Sequence, residues 1–301
     1  MQAKEKKENR LLKELRFTLN QVKRSYMSII GLAIVIFFVV IAIMAPILAP
    51  ANQPDPYSNP RVISPYPLPP SSTTPFGTTG PPDYSDIYYG VIWGTRTSFI
   101  MAFTILAISI VLGVVLGAIS GYFGGIIDEV IMRFTDIFFA VPGILLAMLI
   151  VVVMGRSQVS LIVALCAVYW CSYARLIRGE FLRVKVLPFI EAEVALGTPK
   201  IVIIFRHILP NVIAPALVLA SMDIGSVVLS LSTLSFLGLG FRPGTAEWGV
   251  IISTARNWLL FGAWWTILFP GIAIFTFALG WNFIGDAFRD ILDPRTRRGL
   301  V

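Results

Sequence analysis

The chain has 301 residues, of which 56% are hydrophobic and only 14% are charged, and its formal net charge is +7. This composition, with a mean hydropathy of +0.79, excludes an ordinary soluble domain, in which about a quarter of the residues are charged. The basic excess indicates loops that face anionic lipid head groups. It does not indicate a nucleic-acid partner, because no soluble module that would present a basic patch is visible.

The N-terminal segment, residues 1–26, is basic, and its apolar side chains recur at helical spacing between Leu11 and Phe17. We expect it to lie along the inner membrane surface; a frayed tail is the alternative. The apolar run that follows, residues 27–50, is too long and begins too late for the core of a cleaved signal peptide. It predicts a first transmembrane helix that is retained as a signal anchor.

Charge-poor runs long enough to cross about 30 Å of hydrocarbon occur repeatedly along the chain. They cover residues 27–53, 97–127, 137–155, 158–174, 208–241 and 257–285. We therefore predict an all-α integral membrane protein with six transmembrane helices. Its core is the five-helix region 97–285, which contains the loop 175–207, and a short tail follows at 286–301.

The basic residues predict the orientation of these helices. Of the 24 Lys and Arg residues, eight precede the first run, one is Arg133, six lie within the loop 175–207 and four lie within residues 289–298. All of these segments share one side of the membrane, and the other side carries five basic residues. We predict a multi-pass protein of the cell membrane with both termini and the loop 175–207 in the cytoplasm.

The segment between the first two runs, residues 51–96, is predicted to be an external loop. It is rich in Pro, Ser, Thr and Tyr. Loops of this length are usually functional or disordered. We favour a docking scaffold for an external partner.

Within the predicted spans, Pro142 removes a backbone hydrogen bond from the third run and is expected to bend that helix, as a hinge or as a static kink. Cys166 and Cys171 lie five residues apart on different helix faces, which excludes a disulfide between them and favours buried packing.

Asp223 interrupts the fifth run. A carboxylate in hydrocarbon usually faces a cavity, a partner or the bundle interior, so Asp223 either lines a polar path, pairs with a donor on a partner subunit or lies at a wet interface.

The segment from Phe189 to Asn211 reads FIEAEVALGTPKIVIIFRHILPN. Its first part predicts a short amphipathic helix that ends at Gly197, where glycine supplies a left-handed stop. Thr198-Pro199 predicts the N-cap and first position of a second short helix, and Leu209-Pro210 marks entry into the fifth run. The pattern indicates a helix–turn–helix unit between two membrane spans.

The order Glu191-Ala192, then Gly197, then Leu209-Pro210 resembles the EAA loop of ABC-importer permeases, in which Glu-Ala-Ala is followed at fixed spacing by Gly and by Ile-x-Leu-Pro. Glu193 stands where that loop usually has its second Ala, and His207 stands where it usually has Ile. A His at this place resembles the dipeptide and oligopeptide branch, which commonly reads RHILPN.

The likeness to this branch extends from about Phe76 to the C-terminus. The external segment retains PFGT, the chain then reads GYFGG, the fifth run ends in LSFLGLG ahead of EWG, and the tail contains NFIGD. Ser85 and Gly90 replace two arginines that are usual in the external segment. The chain as a whole resembles the C-type permease subunit of a dipeptide/oligopeptide ABC importer, which implies the type I ABC importer permease fold.

This resemblance implies a division of labour between subunits. The chain lacks a Gly-x4-Gly-Lys-Ser/Thr loop and has no nucleophile beside its single His, so we predict that it is not an enzyme and binds no cofactor or metal. The family places ATP and Mg on two cytoplasmic ATPase subunits. A second homologous permease and an extracytoplasmic substrate-binding protein complete the complex in the lipid bilayer.

The residues that the resemblance implies for ATPase docking and coupling are Phe189, Ile190, Glu191, Ala192, Leu196 and Gly197. The apolar members are expected to enter a groove on the ATPase as one face of a helix. The Glu191 carboxylate is expected to accept hydrogen bonds at the interface with the ATPase subunit. Gly197 lets the chain reverse its direction. A cytoplasmic hairpin that packs only on itself is the alternative.

Two other classes of protein fit the sequence less well. A secondary transporter predicts inverted repeats and several intramembrane ionisable groups, whereas only Asp223 qualifies. A membrane-embedded enzyme predicts clustered His, Asp or Glu, which the sequence does not show. Oligopeptides are the expected substrate, oligosaccharides are the second candidate, and nickel complexes are also carried by this branch.

Overall fold

The computed structural model describes residues 25–51 and 53–292. Its helices are α1 Tyr26–Leu48, α2 Ile87–Phe123, α3 Gly125–Ala140, α4 Gly143–Met154, α5 Gln158–Lys185, α6 Pro188–Ala195, α7 Lys200–Phe236, α8 Trp248–Ala255 and α9 Trp265–Leu292. Nearly all of the predicted basic segment 1–26 and the end of the tail 286–301 lie outside the described residues.

Within the described part, five helices are long and apolar enough to cross a membrane: α1, α2, α5, α7 and α9. The pair α3 and α4 supplies a sixth crossing if the two helices are taken together as one bent span. The all-helical membrane architecture predicted from the sequence is confirmed. The count of six holds only with the bent pair included.

The second helix begins at Ile87, ten residues before the predicted run. Asp86 is its N-cap, and one carboxylate oxygen accepts a hydrogen bond from the Tyr89 N–H at 3.1 Å. A side-chain acceptor at this position satisfies an otherwise unpaired donor of the first turn. The external segment therefore ends at Asp86, and the first turns of α2 extend beyond the apolar run.

The third predicted run is broken into two helices, not bent within one. Val141 is extended (φ −99°, ψ 131°), as the residue before a proline prefers, and Pro142 becomes the N-cap of α4. The axes of α3 and α4 differ by 90°. The 12 residues of α4 span only about 18 Å, so this helix alone is too short to cross the hydrocarbon.

A row of glycines brings α2 and α5 into close contact. A Cβ on Gly117 would lie 2.5 Å from the Ala174 carbonyl oxygen, and a Cβ on Gly121 would lie 2.6 Å from the Phe181 Cβ. Gly113, one turn earlier, packs against the Tyr173 Cβ. Small residues at intervals of four allow helix backbones in membranes to approach closely. The row therefore lies at the α2–α5 interface.

The external segment is folded onto the loop between α7 and α8. The Asn59 N–H donates to the Gly244 carbonyl at 2.7 Å, and the Ala246 N–H donates to the Tyr57 carbonyl at 2.7 Å. The Asp83 carboxylate accepts from the Gly244 N–H at 2.8 Å. The Pro-rich segment is therefore an ordered cap over one end of the bundle.

Candidate functional site

The short helix α6 forms the centre of the candidate coupling site, in the connection between α5 and α7. It begins with Pro188 at its first position, where the missing N–H of proline costs nothing. Only Ile190 of this helix is buried. It is 1% exposed and belongs to a cluster that includes Val184, Ile203 and Ile204, so it fixes the helix to the ends of both neighbouring spans.

The predicted left-handed glycine at the end of this helix is confirmed, since Gly197 has φ +74°. The Thr198 N–H donates to the Glu193 carbonyl at 3.1 Å, and the Gly197 N–H donates to the Val194 carbonyl at 3.0 Å. This pair of bonds is the Schellman arrangement, which satisfies the last carbonyls of a helix. The reversal therefore depends on a backbone conformation that L side chains disfavour.

The second short helix predicted after Gly197 is not a separate element. Pro199 is the N-cap, Lys200 begins α7, and the helix continues through Leu209-Pro210 without ending. The Ile203–Ile208 segment is a π-helical turn in which the Leu209 N–H donates to the Ile204 carbonyl. The wider turn lets the helix continue through Pro210, which has no N–H to donate.

The docking residues implied by the resemblance divide into two sets. Phe189, Glu191, Ala192, Leu196 and Gly197 are exposed, and Leu196 reaches 81% exposure. Ile190 points inward, so its expected place on the exposed apolar face is wrong, because it packs against the beginning of α7. Val194, at 57% exposure, is an exposed apolar side chain that the sequence comparison did not single out. The docking role of the exposed set stays a prediction.

Glu193 links α6 to the turn that follows it and to α7. Its Oε2 accepts a hydrogen bond from the Thr198 hydroxyl at 2.7 Å, and its Oε1 lies 3.8 Å from Nε2 of His207. Thr198 was expected to cap the next helix, but its hydroxyl is used by this carboxylate instead. Both Glu193 and His207 are half-buried.

In the membrane-spanning region, Asp223 of α7 accepts a hydrogen bond from the Tyr173 hydroxyl of α5 at 2.8 Å. One turn away on α5, the Tyr169 hydroxyl lies 3.2 Å from the Ser230 hydroxyl. Tyr173 is fully buried, whereas Asp223 is half-buried. The donor is thus supplied by this chain, and not by a partner subunit as the sequence-based alternative had it. Pro142, the other intramembrane candidate, lies at the α3–α4 break.

Two arginines of α5 are engaged with acidic residues of α3. Arg178 forms two bonds to the Asp128 carboxylate, at 2.5 and 2.6 Å, and Arg175 lies 2.7 Å from Asp136. These pairs hold α3 beside α5 at the end of the bundle that carries α6. Among the described residues, no group of three or more His, Cys, Asp or Glu side chains could hold a metal ion.

At the opposite end, Glu247 is completely buried as the N-cap of α8. Its Oε1 accepts from the Ser232 hydroxyl at 2.9 Å and from the Gly249 N–H at 3.0 Å, and its Oε2 accepts from the Val250 N–H at 2.9 Å. Burial raises the pKa of the Glu247 carboxyl, and these hydrogen bonds oppose that effect. The residue fixes the cap to α7.

Three features of this arrangement were missed by sequence reasoning. The glycine row of α2 is visible as G-x3-G-x3-G and carries a known packing signal. The buried role of Glu247 follows from its position ahead of a helix start, which is a capping signal. The contact between Glu193 and His207 has no sequence signal, because the two residues lie 14 positions apart on either side of a turn.

Residues 113–298 match the family described as binding-protein-dependent transport system inner membrane component. This chain belongs to that family. Residues 16–70 also match the N-terminal transmembrane domain of oligopeptide transport permease C. The protein is therefore a C-type permease subunit of a binding-protein-dependent ABC importer, and its fold is that of the type I ABC importer permeases.

Curated relatives cover most of this permease. It is 36% identical over 278 residues to the dipeptide transport system permease protein DppC of Alkalihalophilus pseudofirmus, covering 92% of this chain and 88% of the relative. It is 34% identical over 274 residues to the probable D,D-dipeptide transport system permease protein DdpC of Escherichia coli strain K12, with 91% and 89% covered. For the glutathione transport system permease protein GsiD of Escherichia coli O6:K15:H31, the identity is 35% over 275 residues, with 91% and 88% covered.

Proposed function

We propose that this permease forms half of a translocation pathway for short peptides and couples that pathway to ATP hydrolysis on other subunits. The expected complex contains a second homologous permease, two cytoplasmic ATPase subunits that bind ATP and Mg, and an extracytoplasmic substrate-binding protein. The names of the relatives support the substrate class, because they refer to dipeptides and to glutathione, itself a small peptide. Both termini are expected in the cytoplasm.

The observation that carries the proposal is the geometry of α6. This helix is tied to the ends of α5 and α7 through Ile190, and it exposes the apolar side chains of Phe189, Val194 and Leu196 beyond the bundle. A helix that is fixed to two spans transmits any displacement by a partner directly to those spans. Apolar side chains on a short helix are the usual anchors of a helix-in-groove contact.

Substrate class is tested with the complete complex, purified from native membranes through a tag on this chain and reconstituted into proteoliposomes. We expect ATP-dependent accumulation of labelled di- and tripeptides supplied with the binding protein. Accumulation of a labelled oligosaccharide in place of peptides would overturn the substrate class. Uptake that proceeds equally well without ATP would overturn the ABC mechanism in favour of a secondary transporter.

The docking role of α6 is tested by cross-linking. With Leu196→Cys in the complete complex, we expect a thiol-directed cross-linker to join this chain to an ATPase subunit. Ser71→Cys, on the exposed external segment, is the control and should give no such product. Absence of an ATPase adduct at Leu196 and at Val194→Cys would contradict docking through α6.

A further inference from the structure

One side of α7 carries polar side chains through the membrane-spanning region. Asp223, Ser226, Ser230 and Thr233 follow one another at intervals of three and four residues, which places them on one helix face. Ser226 is exposed and the other three are half-buried, whereas Ile224 on the other side is buried. We call these four residues the polar face of α7. The rest of the chain covers it only in part, through contacts of Tyr173 with Asp223 and of Tyr169 with Ser230.

This face lies deep along the membrane-spanning length of α7. Asp223 is 13 residues from the end of α7 at Phe236, or about 20 Å along the helix. That distance places the carboxylate well inside a hydrocarbon layer of about 30 Å. A carboxylate at this depth is retained where it meets water, a partner or a polar solute.

The other exposed helix surfaces of this protein show what a lipid-facing side looks like. On α1, the exposed side chains include Ile29, Ile36, Val40 and Ile43, and on α2 they include Val111. Those surfaces are apolar, as contact with acyl chains requires. The polar face of α7 has two exposed large apolar neighbours, Leu229 and, one turn beyond Thr233, Leu237, among the described residues that flank it. Its chemistry is that of a surface in contact with water or a solute.

The charge on this face is held in place without being neutralised by the arginines of α5. Arg175 and Arg178 are engaged with Asp136 and Asp128, whereas the contact to Asp223 comes from the neutral Tyr173 hydroxyl. A phenol that donates to one carboxylate oxygen orients the group and leaves its negative charge available. The hydroxyls of Ser230 and Tyr169, which lie 3.2 Å from each other, come about two helical turns further along the same face.

We propose that the polar face of α7 borders the translocation path and that the Asp223 carboxylate receives protonated amino groups of a passing peptide. This inference rests on the proposed import of peptides. The hydroxyls of Ser226 and Ser230 replace part of the hydration of peptide amides as the solute passes, whereas the Thr233 hydroxyl donates to the Leu229 carbonyl of its own helix. A carboxylate beside hydroxyl groups is suited to ammonium groups, because an ammonium carries three donors and no acceptor.

Water access to the face is tested by thiol labelling in the complete complex. Both native cysteines, which are buried, are first replaced by Ala, and Ser226→Cys is then compared with Val111→Cys on the apolar side of α2. We expect a hydrophilic thiol reagent to modify Ser226→Cys at least about tenfold faster, because thiolates are suppressed in apolar surroundings. Equal, slow labelling at both positions with and without ATP would overturn the inference.

The charge is tested with Asp223→Asn, which keeps an acceptor for Tyr173 and removes the negative charge. Uptake of a lysine-rich and of a glutamate-rich peptide is measured with saturating binding protein. We expect the ratio of the two rates to fall about tenfold, which is what one hydrogen bond to a charged group contributes. Thr276→Val on α9, where the hydroxyl bonds to its own helix at Ile272, is the control and should leave the ratio unchanged.

The two proposals fail in different ways. An unchanged ratio in Asp223→Asn, with normal uptake by the wild type, would overturn the role of Asp223 and leave peptide import intact. If the wild-type complex accumulates neither peptide, peptide import is wrong. The labelling of Ser226→Cys then still decides whether this face borders a water-filled path.

Discussion

His207 at the start of α7 lies with its Nε2 3.8 Å from Oε1 of Glu193 on α6. These are the two positions at which the chain departs from the usual EAA pattern, and the fold brings them together. The Thr198 hydroxyl donates to the other oxygen of the same carboxylate at 2.7 Å. Glu193 therefore joins the coupling helix, the reversing turn and the following span.

This contact predicts that Glu193→Ala and His207→Ile, which restore the usual family residues, are energetically coupled. A half-exposed pair of this kind contributes about 0.2–1 kcal/mol. In a double-mutant cycle on substrate-stimulated ATPase activity, we expect each single variant to lose up to about fivefold and the double variant to lose less than the product. Strictly multiplicative losses would show that the two residues act independently.

At Gly197, the need for a left-handed backbone conformation can be tested separately from steric crowding. Its φ of +74° is unfavourable for side chains, yet nothing lies within 4 Å of a Cβ built at this position. We expect Gly197→Val to strain the reversal by about 1–2 kcal/mol and to uncouple ATP hydrolysis from transport. Gly197→Asn should be milder because Asn tolerates the left-handed region. Equal coupling ratios in the wild type and Gly197→Val would contradict this assignment.

The glycine row predicts opposite effects for one substitution at two sites. In Gly117→Ala the new methyl would lie 2.5 Å from the Ala174 carbonyl oxygen, whereas in Gly179→Ala it meets open space. We expect Gly117→Ala to lower the stability of the complex by about 1–3 kcal/mol and Gly179→Ala to be neutral or stabilising. Thermal unfolding in detergent measures both, and similar melting temperatures would count against close α2–α5 packing.

Glu247 predicts a pH effect on stability. Because burial raises the pKa of its carboxyl above the usual 4.5, the protonated form favours the folded state. Its stabilising contribution is complete below about pH 4.5 and is lost as the pH rises through the folded-state pKa. We therefore expect the melting temperature of the wild type to rise relative to Glu247→Gln between about pH 7.5 and about pH 5. A difference that does not change with pH would contradict a buried titrating carboxyl.

The orientation inferred from the basic residues predicts which surfaces are accessible from each side. In cells, a membrane-impermeant thiol reagent should label Ser71→Cys from outside, whereas Leu196→Cys should be labelled only after the membrane is opened. Both positions are exposed within this chain, and the labelling is repeated on membranes stripped of ATPase subunits so that docking of Leu196 does not explain a difference. The reversed pattern would invert the topology.

Much of the membrane architecture was predictable because a bilayer imposes a simple length rule. Each run of about 20 apolar residues must satisfy its backbone internally, and a helix does so. The reversal at Gly197 was predictable for a similar reason, because a left-handed residue after a helix favours glycine strongly. The extension of α2 to Ile87 and the break before Pro142 had local signals in Asp86 and in the proline itself.

Only the tertiary structure decided which side of each helix is covered. In a span such as α1 almost every side chain is apolar, so hydropathy carries no period that separates a lipid-facing side from a packed one. The inward direction of Ile190, the donor for Asp223 and the contact between Glu193 and His207 all depend on how neighbouring helices approach. Gly113, Gly117 and Gly121 allow the close approach of α2 to α5, but composition does not tell which distant helix each helix contacts.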